Sequence, residues 1–239
     1  MIDVHCHFDM AKNPEKYISD NEKKKVLTIG MTNLPSHFQM GVNHVRQYKH
    51  IRLALGLHPL RANEHVNEYL KFAEYVKQTS YIGEVGLDFL REGINTKEAQ
   101  LRSFEYVLSC IKGQKKIVSL HSRRAEKETF ELLKDKNIEN AIFHWYSGSL
   151  SIQKKIIDSG FFFSINSAMI DTENGRRIIK EIPKNLILTE TDFPFIEKSN
   201  ISLVYNYLSN LWGIPENEVE WLIDLNFKRL IQNITSLKP

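Results

Sequence analysis

Short apolar runs alternate along the chain with longer stretches in which apolar and charged residues mix at helical spacing. The runs cover residues 1–5, 26–30, 51–57, 81–85, 117–121, 141–144, 161–165 and 186–189. Each is bounded by polar or turn-forming residues and predicts a buried strand. The stretches 64–78, 97–112, 125–136, 151–159 and 173–181 predict amphipathic helices between them. Continuously apolar strands separated by helices imply a parallel sheet covered on both faces. Eight such units at roughly thirty-residue spacing predict an α/β chain closed into a (β/α)8 TIM-type barrel. An open doubly wound sheet would want a Gly-rich phosphate-binding turn after the first strand. His5-Cys6-His7 stands there instead. From residue 201 onward the pattern is helical, with Pro215 placed to start a helix and Glu216 and Glu218 in its first turn. No Pro-, Ser- or Gly-rich linker interrupts the chain, so residues 1–239 read as a single domain.

Composition changes this picture in one respect. The chain has 239 residues, 42% hydrophobic and 26% charged, which is ordinary for a globular protein. Its net charge of +3 is too weak to argue by itself for nucleic acid. Cys6 and Cys110 make no disulfide framework. The opening Met1-Ile2-Asp3-Val4-His5 lacks the basic segment and apolar run of a signal peptide. No apolar stretch approaches the roughly 20 residues that span a bilayer. These features predict a reduced, cytoplasmic protein with no membrane partner. The informative feature is histidine: of nine, His5, His7, His58, His121 and His144 directly follow apolar or Gly-containing runs.

Working residues of a (β/α) barrel lie at the C-terminal ends of its strands. Those ends carry His5 and His7, His58, Glu84, His121, His144 and Asp192. Six of the eight strands thus aim a metal-competent group at one rim. Residues two apart on an extended chain face the same side, so His5 and His7 can chelate one cation while Cys6 points away as a small buried filler. The plain alternative is two polar residues at a strand end. Glu84, inside an apolar strand, is costly to bury unless it binds metal or pairs with an arginine, and its two oxygens can bridge two cations. Asp88 reads as an orienting partner or a substrate contact. Asp192 can bind a cation and accept a proton from the attacking water. Glu190 is expected to face outside the barrel lumen. Imidazole with carboxylate suits Zn or Mn better than Ca, and tolerates Mg. Arg123 and His58 are candidates for phosphate, with Lys12 and Arg91 in rim loops. Among the aromatics Phe8, Phe89, Trp145, Tyr146, Phe193 and Phe195, the chosen base contacts are Trp145, Tyr146 and Phe193.

Taken together, His-Cys-His-Phe-Asp at 5–9, Gly-Leu-His-Pro at 56–59, Gly-Glu-Val-Gly-Leu-Asp-Phe at 83–89, His-Ser-Arg at 121–123, His-Trp-Tyr-Ser-Gly-Ser at 144–149 and Glu-Thr-Asp at 190–192 resemble the TatD family of metal-dependent deoxyribonucleases. The resemblance spans the chain. It implies that His5, His7, Glu84 and Asp192 hold one divalent cation and Glu84, His121 and His144 a second, the ions being Zn, Mg or Mn. It also implies exonucleolytic trimming of DNA, with Glu84 and Asp192 catalytic. Two departures stand on the rim: residues 195–201 lack the family's basic, Pro-containing segment, and Trp145-Tyr146 replaces Cys-Phe. In Ala54-Leu55-Gly56-Leu57-His58-Pro59, His121-Ser122-Arg123-Arg124-Ala125, His144-Trp145 and Leu188-Thr189-Glu190-Thr191-Asp192 the chain is similar to the shorter TatD-type nuclease of the bacterial Qat anti-phage system, which implies a partner protein of that system on the altered rim. The rival expectations are an amidohydrolase-type enzyme acting on a small-molecule or aminoacyl-RNA bond, and a non-catalytic assembly subunit. The first would carry a carboxylated lysine where Glu84 stands.

Overall fold

The structure is a computed structural model that describes residues 1–196 and 199–235. Its strands are β1 (Ile2–Cys6), β2 (Leu27–Gly30), β3 (Ile51–Leu53), β4 (Leu55–Leu57), β5 (Tyr81–Gly86), β6 (Ile117–His121), β7 (Ala141–His144), β8 (Phe162–Ile165) and β9 (Ile187–Thr189). Every expected run forms a strand, and every pairing is parallel. The ladder bonds draw two sheets, β1-β2-β3 and β4 through β9 in sequence order, where one continuous closed ladder was expected.

The division falls inside the run 51–57, and Thr32 is its cause. Thr32 Oγ1 donates to Ala54 O at 2.9 Å and accepts from Gly56 N at 3.0 Å, so a side chain takes the place of the neighbouring strand. At the other seam Thr189 Oγ1 donates to Ile2 O at 2.5 Å, and Asp192 N donates to His5 O at 3.0 Å. The end of the chain's last strand is thereby held against the first.

The helices between strands are α1 (Pro14–Lys23), α2 (Pro35–Val45), α3 (Tyr69–Tyr75), α4 (Lys97–Ile111), α5 (Glu126–Asp135), α6 (Leu150–Asp158), α7 (Ser167–Asp171) and α8 (Glu173–Glu181), with α9 (Ile201–Trp212) and α10 (Glu216–Thr235) closing the chain. Side chains cap several of them: Asn13 accepts from Lys16 N, Asn166 from Met169 N and Thr172 from Gly175 N. Gly213, in the left-handed region at φ 65°, ends α9 two residues before Pro215. The expected helix over 64–78 is broken into short 3-10 turns around α3. Two long-range contacts compete with it. His65 is buried with Nε2 on His58 O at 3.0 Å, and Glu68 accepts from Ser36 N at the start of α2.

Strand side chains such as Val4, Leu55, Val85, Val118, Phe143, Phe163 and Leu188 are fully buried in one cluster with the inner faces of the helices. Each contributes about 2 kcal/mol of apolar burial. That contribution is what lets the strand ends carry polar groups that folding would otherwise expel. No helix among the described residues is long and apolar enough to cross a membrane.

Candidate metal centre

The C-terminal strand ends bring the expected residues into one buried cluster. His5 lies on β1 and His7 one residue past it, and both rings are buried. Glu84 lies on β5, His121 and His144 end β6 and β7, and Asp192 follows β9. Glu84 is the hub. Its Oε1 faces His121 Nδ1 at 2.6 Å and His144 Nε2 at 3.4 Å. Its Oε2 faces His7 Nε2 at 3.0 Å, His58 Nε2 at 3.2 Å and His5 Nε2 at 3.5 Å. Asp192 Oδ1 lies 3.8 Å from His5 Nε2 and 4.0 Å from His7 Nε2. Glu84's partners among the described residues are all histidines, so the arginine pair weighed for it is not formed.

Hydrogen-bond partners outside the cluster assign the ring nitrogens. Leu60 N donates to His58 Nδ1 at 3.2 Å, so a neutral His58 carries its proton on Nε2 and faces Glu84 as a donor. Carboxylates only accept. Glu190 Oε1 at 3.1 Å therefore places a proton on His144 Nδ1, and Asp88 Oδ2 at 2.7 Å places one on His121 Nε2. His144 Nε2 and His121 Nδ1 both face Glu84, and these are the nitrogens whose protons a cation would replace. Ser119 Oγ stands 2.8 Å from His5 Nδ1, while the buried His5 Nε2 has no hydrogen-bond partner.

The charge balance has the same sense. Burial raises the cost of ionising Glu84, yet His58, His121 and His5 hold its carboxyl well below the ordinary range. Burial opposes charge on His144 and His121 too, but Glu190 and Glu84 lift the first well above its ordinary value, and Glu84 and Asp88 lift the second to about 9. Burial and nearby His144 depress His5 to about 4. Burial pushes Asp192 up to about 7. Carboxylates and imidazoles in the cluster thus stabilise one another's charged forms against the cost of burial. Divalent cations fit the donor set: an unpartnered His5 Nε2 faces two carboxylates at 3.5 and 3.8 Å, and three groups of ligand atoms each converge within 4.8 Å. Those groups are His5, His144 and Asp192; His5, His7 and Glu84; and His58, Glu84 and His121. The tautomer argument removes His58 from the third as a ligand.

A cavity of about 470 Å3 opens above the cluster, lined by His58, Glu84, Asp88, His121, His144 and Asp192 at its floor, with Arg123, Trp145, Ser147, Phe195, Leu60 and Glu92 around it. Arg123 and Trp145 are where the sequence placed them. Tyr146 is not: it is buried against Phe143 and Phe163, and its hydroxyl donates to Ser149 O at 2.7 Å. Trp145 takes the left-handed conformation at φ 39°, and consecutive side chains part there, one outward and one into the core. Phe193 also leaves the cavity; its ring stacks on Tyr17 at 4.5 Å. Phe195, edge-on to His7 at 5.0 Å and 55% exposed, occupies the wall instead. Strand-end position had flagged Phe195, but nothing local distinguished it from Phe193. Lys12 and Arg91 do not line the cavity. Cys6 is buried against Ile29 O, as expected of a filler. Glu190 is the largest correction: it is fully buried inside the fold, behind His144.

This arrangement defines a metal-dependent hydrolase on a parallel α/β scaffold. A family model described as TatD related DNase matches residues 2–232, and the chain belongs to that family. An uncharacterised metal-dependent hydrolase of Methanocaldococcus jannaschii is 27% identical, with 95% of this chain and 94% of that protein covered. The human deoxyribonuclease TATDN3 is 26% identical, covering 99% and 96%. The crystal structure of a TatD homologue from Escherichia coli K12 superposes with a TM-score of 0.85 at 22% identity, over 100% of this chain and 98% of that one. The expected TIM-type α/β fold is the fold shared with it.

Proposed function

We propose that the chain is a deoxyribonuclease that hydrolyses DNA phosphodiester bonds by a two-metal mechanism, working exonucleolytically on single strands or strand ends. One observation carries this reading: the two oxygens of Glu84 face two different sets of imidazoles, as a carboxylate bridging two cations requires. His5, His7, Glu84 and Asp192 would hold one ion, and Glu84, His121 and His144 the other, with Zn, Mg or Mn fitting the donors. Bound divalent cations supply Lewis acidity and make water nucleophilic near neutral pH.

The chain's own groups do the rest. Asp192, whose carboxylate faces His5 and His7 at the cavity floor, accepts the proton of the attacking water. His58 donates from Nε2 to a phosphate oxygen, an orientation Leu60 N enforces. Arg123 neutralises the same phosphate. Asp88 keeps His121 in the ligating tautomer and lines the cavity floor. Trp145 and Phe195 offer exposed ring faces to unpaired bases. A recessed floor favours a strand end over a phosphate within a duplex. The named activity of the human relative agrees with this substrate class.

A role in anti-phage defence, with a partner protein of a Qat-type system seated on the rim, is the narrower part of the proposal. The sequence runs at 54–59, 121–125, 144–145 and 188–192 support it. The experiment is digestion of 5′- and 3′-labelled single-stranded DNA with Mg, Mn or Zn, beside amide and ester substrates. Laddered DNA products that disappear in Glu84→Ala and His121→Ala support the reading. Undiminished digestion by either variant, or hydrolysis of amides alone, defeats it.

A further inference from the structure

Glu190 stands behind His144, on the side away from Glu84, and no step above uses it. It is fully buried. Its Oε1 accepts from His144 Nδ1 at 3.1 Å and from Asn166 Nδ2 at 2.8 Å, and its Oε2 accepts from Ser164 Oγ. Ser164 is part of β8, and Asn166 directly follows that strand. The Asn166 amide cannot turn round, because its Oδ1 accepts from Met169 N at 3.0 Å as the cap of α7. The edge it shows Glu190 is therefore its donor edge. A buried carboxylate without partners costs several kcal/mol. Here three donors meet it, and imidazole is its cationic partner among the described residues. β8 carries none of the ligands, yet it builds this cradle.

We infer that Glu190 is the positioning residue of His144: held by Ser164 and Asn166, it keeps the proton on Nδ1, holds Nε2 toward Glu84 where that nitrogen would ligate a cation, and supplies a second buried negative charge to that side of the cluster. The His144 ring also stacks on His5 at 3.8 Å and 8°, so turning it would disturb a ligand of the neighbouring ion. Outer carboxylates of this kind raise the basicity of the ligating nitrogen and fix its tautomer. The inference rests on the cluster being a cation site and is independent of the substrate.

The test uses the full chain, stripped with chelator and titrated calorimetrically with Mn2+, in wild type, Glu190→Gln and Ser164→Ala. Wild type is expected to bind two ions. Glu190→Gln weakens one of them by about 10–100-fold, and Ser164→Ala weakens the same one by less. With Zn2+ loaded and histidine 15N-labelled, wild type shows His144 protonated at Nδ1, and Glu190→Gln, whose neutral amide accepts that proton more weakly, shifts the Nδ1 signal. A merely structural Glu190 would lower the melting temperature and leave both affinities and that signal unchanged, which overturns the assignment. If Glu190→Gln does not fold, Ser164→Ala decides alone: unchanged affinity overturns it, weakening of one ion sustains it. A wild type that binds no ion overturns it together with the nuclease reading. Binding that depends on Glu190 in a protein without phosphodiesterase activity sinks only the nuclease reading.

Discussion

His65 shows what a single buried group does to this molecule. It is buried, its Nε2 meets His58 O at 3.0 Å, and its Nδ1 has no partner. Burial depresses it to about 4 from an ordinary 6.5. As pH falls, the unfolded chain takes up this proton near 6.5, the folded chain only near 4. Stability is therefore unaffected above the window and declines through it, by up to about 3 kcal/mol. His65→Gln keeps a donor for His58 O and removes the titration. Urea midpoints at pH 7.5 and 5 should differ less in the variant than in wild type; equal differences would refute the account. His65 drew no notice in the sequence because its neighbours Glu64, Val66 and Asn67 read as a solvated helix. Glu190 was given the wrong facing for a related reason. Alternation along a strand predicts a facing but not what lies behind it, and its partners Ser164 and Asn166 are more than twenty residues away.

At the scale of elements, the loops after β7 and β9 decide what the cavity presents. Trp145→Ala and Phe195→Ala should each raise KM for single-stranded DNA by about 5–100-fold with little change in kcat, since base stacking is worth about 1–3 kcal/mol. Tyr146→Phe should leave KM alone and cost about 1 kcal/mol of stability through the lost bond to Ser149 O. A KM effect from Tyr146→Phe with none from Trp145→Ala would reverse this assignment. The β3–β4 junction makes a second prediction. A Cβ on Gly56 would collide with the carbonyl oxygen of Thr32, backbone that cannot step aside. Gly56→Ala should therefore destabilise by about 1–3 kcal/mol or more, read from denaturant unfolding; wild-type stability would show that the seam yields. The strands were legible because continuous apolar runs have few other solutions, and the residues that gather at Glu84 were legible because strand ends in such folds point to one rim. The choice of Phe195 over Phe193 was not, since it turns on a loop that stacks Phe193 on Tyr17.

For the molecule as a whole, the histidine and carboxylate cluster joins β1, β5, β6, β7 and the end of β9, and under the proposed function it is both the reactive site and a metal-held clasp. Chelation should abolish DNA cleavage and lower the melting temperature, with both restored by Mn2+ or Zn2+, because ions that bind only the folded state stabilise it by mass action. Cleavage that survives exhaustive chelation would remove the two-metal mechanism. Sequence by itself determined the parallel α/β class, the order of strands and the identity of the residues that meet at Glu84, because hydrophobic period and position at a strand end are local properties of the chain. Only the tertiary structure decided which nitrogen of His58, His121 and His144 faces Glu84, that Glu190 lies inside behind His144, that the sheet is drawn in two parts at Thr32, and which aromatics reach the cavity. Apart from the Leu60 amide that fixes His58, each of these depends on a partner distant in sequence, and no local pattern encodes the direction from which such a partner arrives.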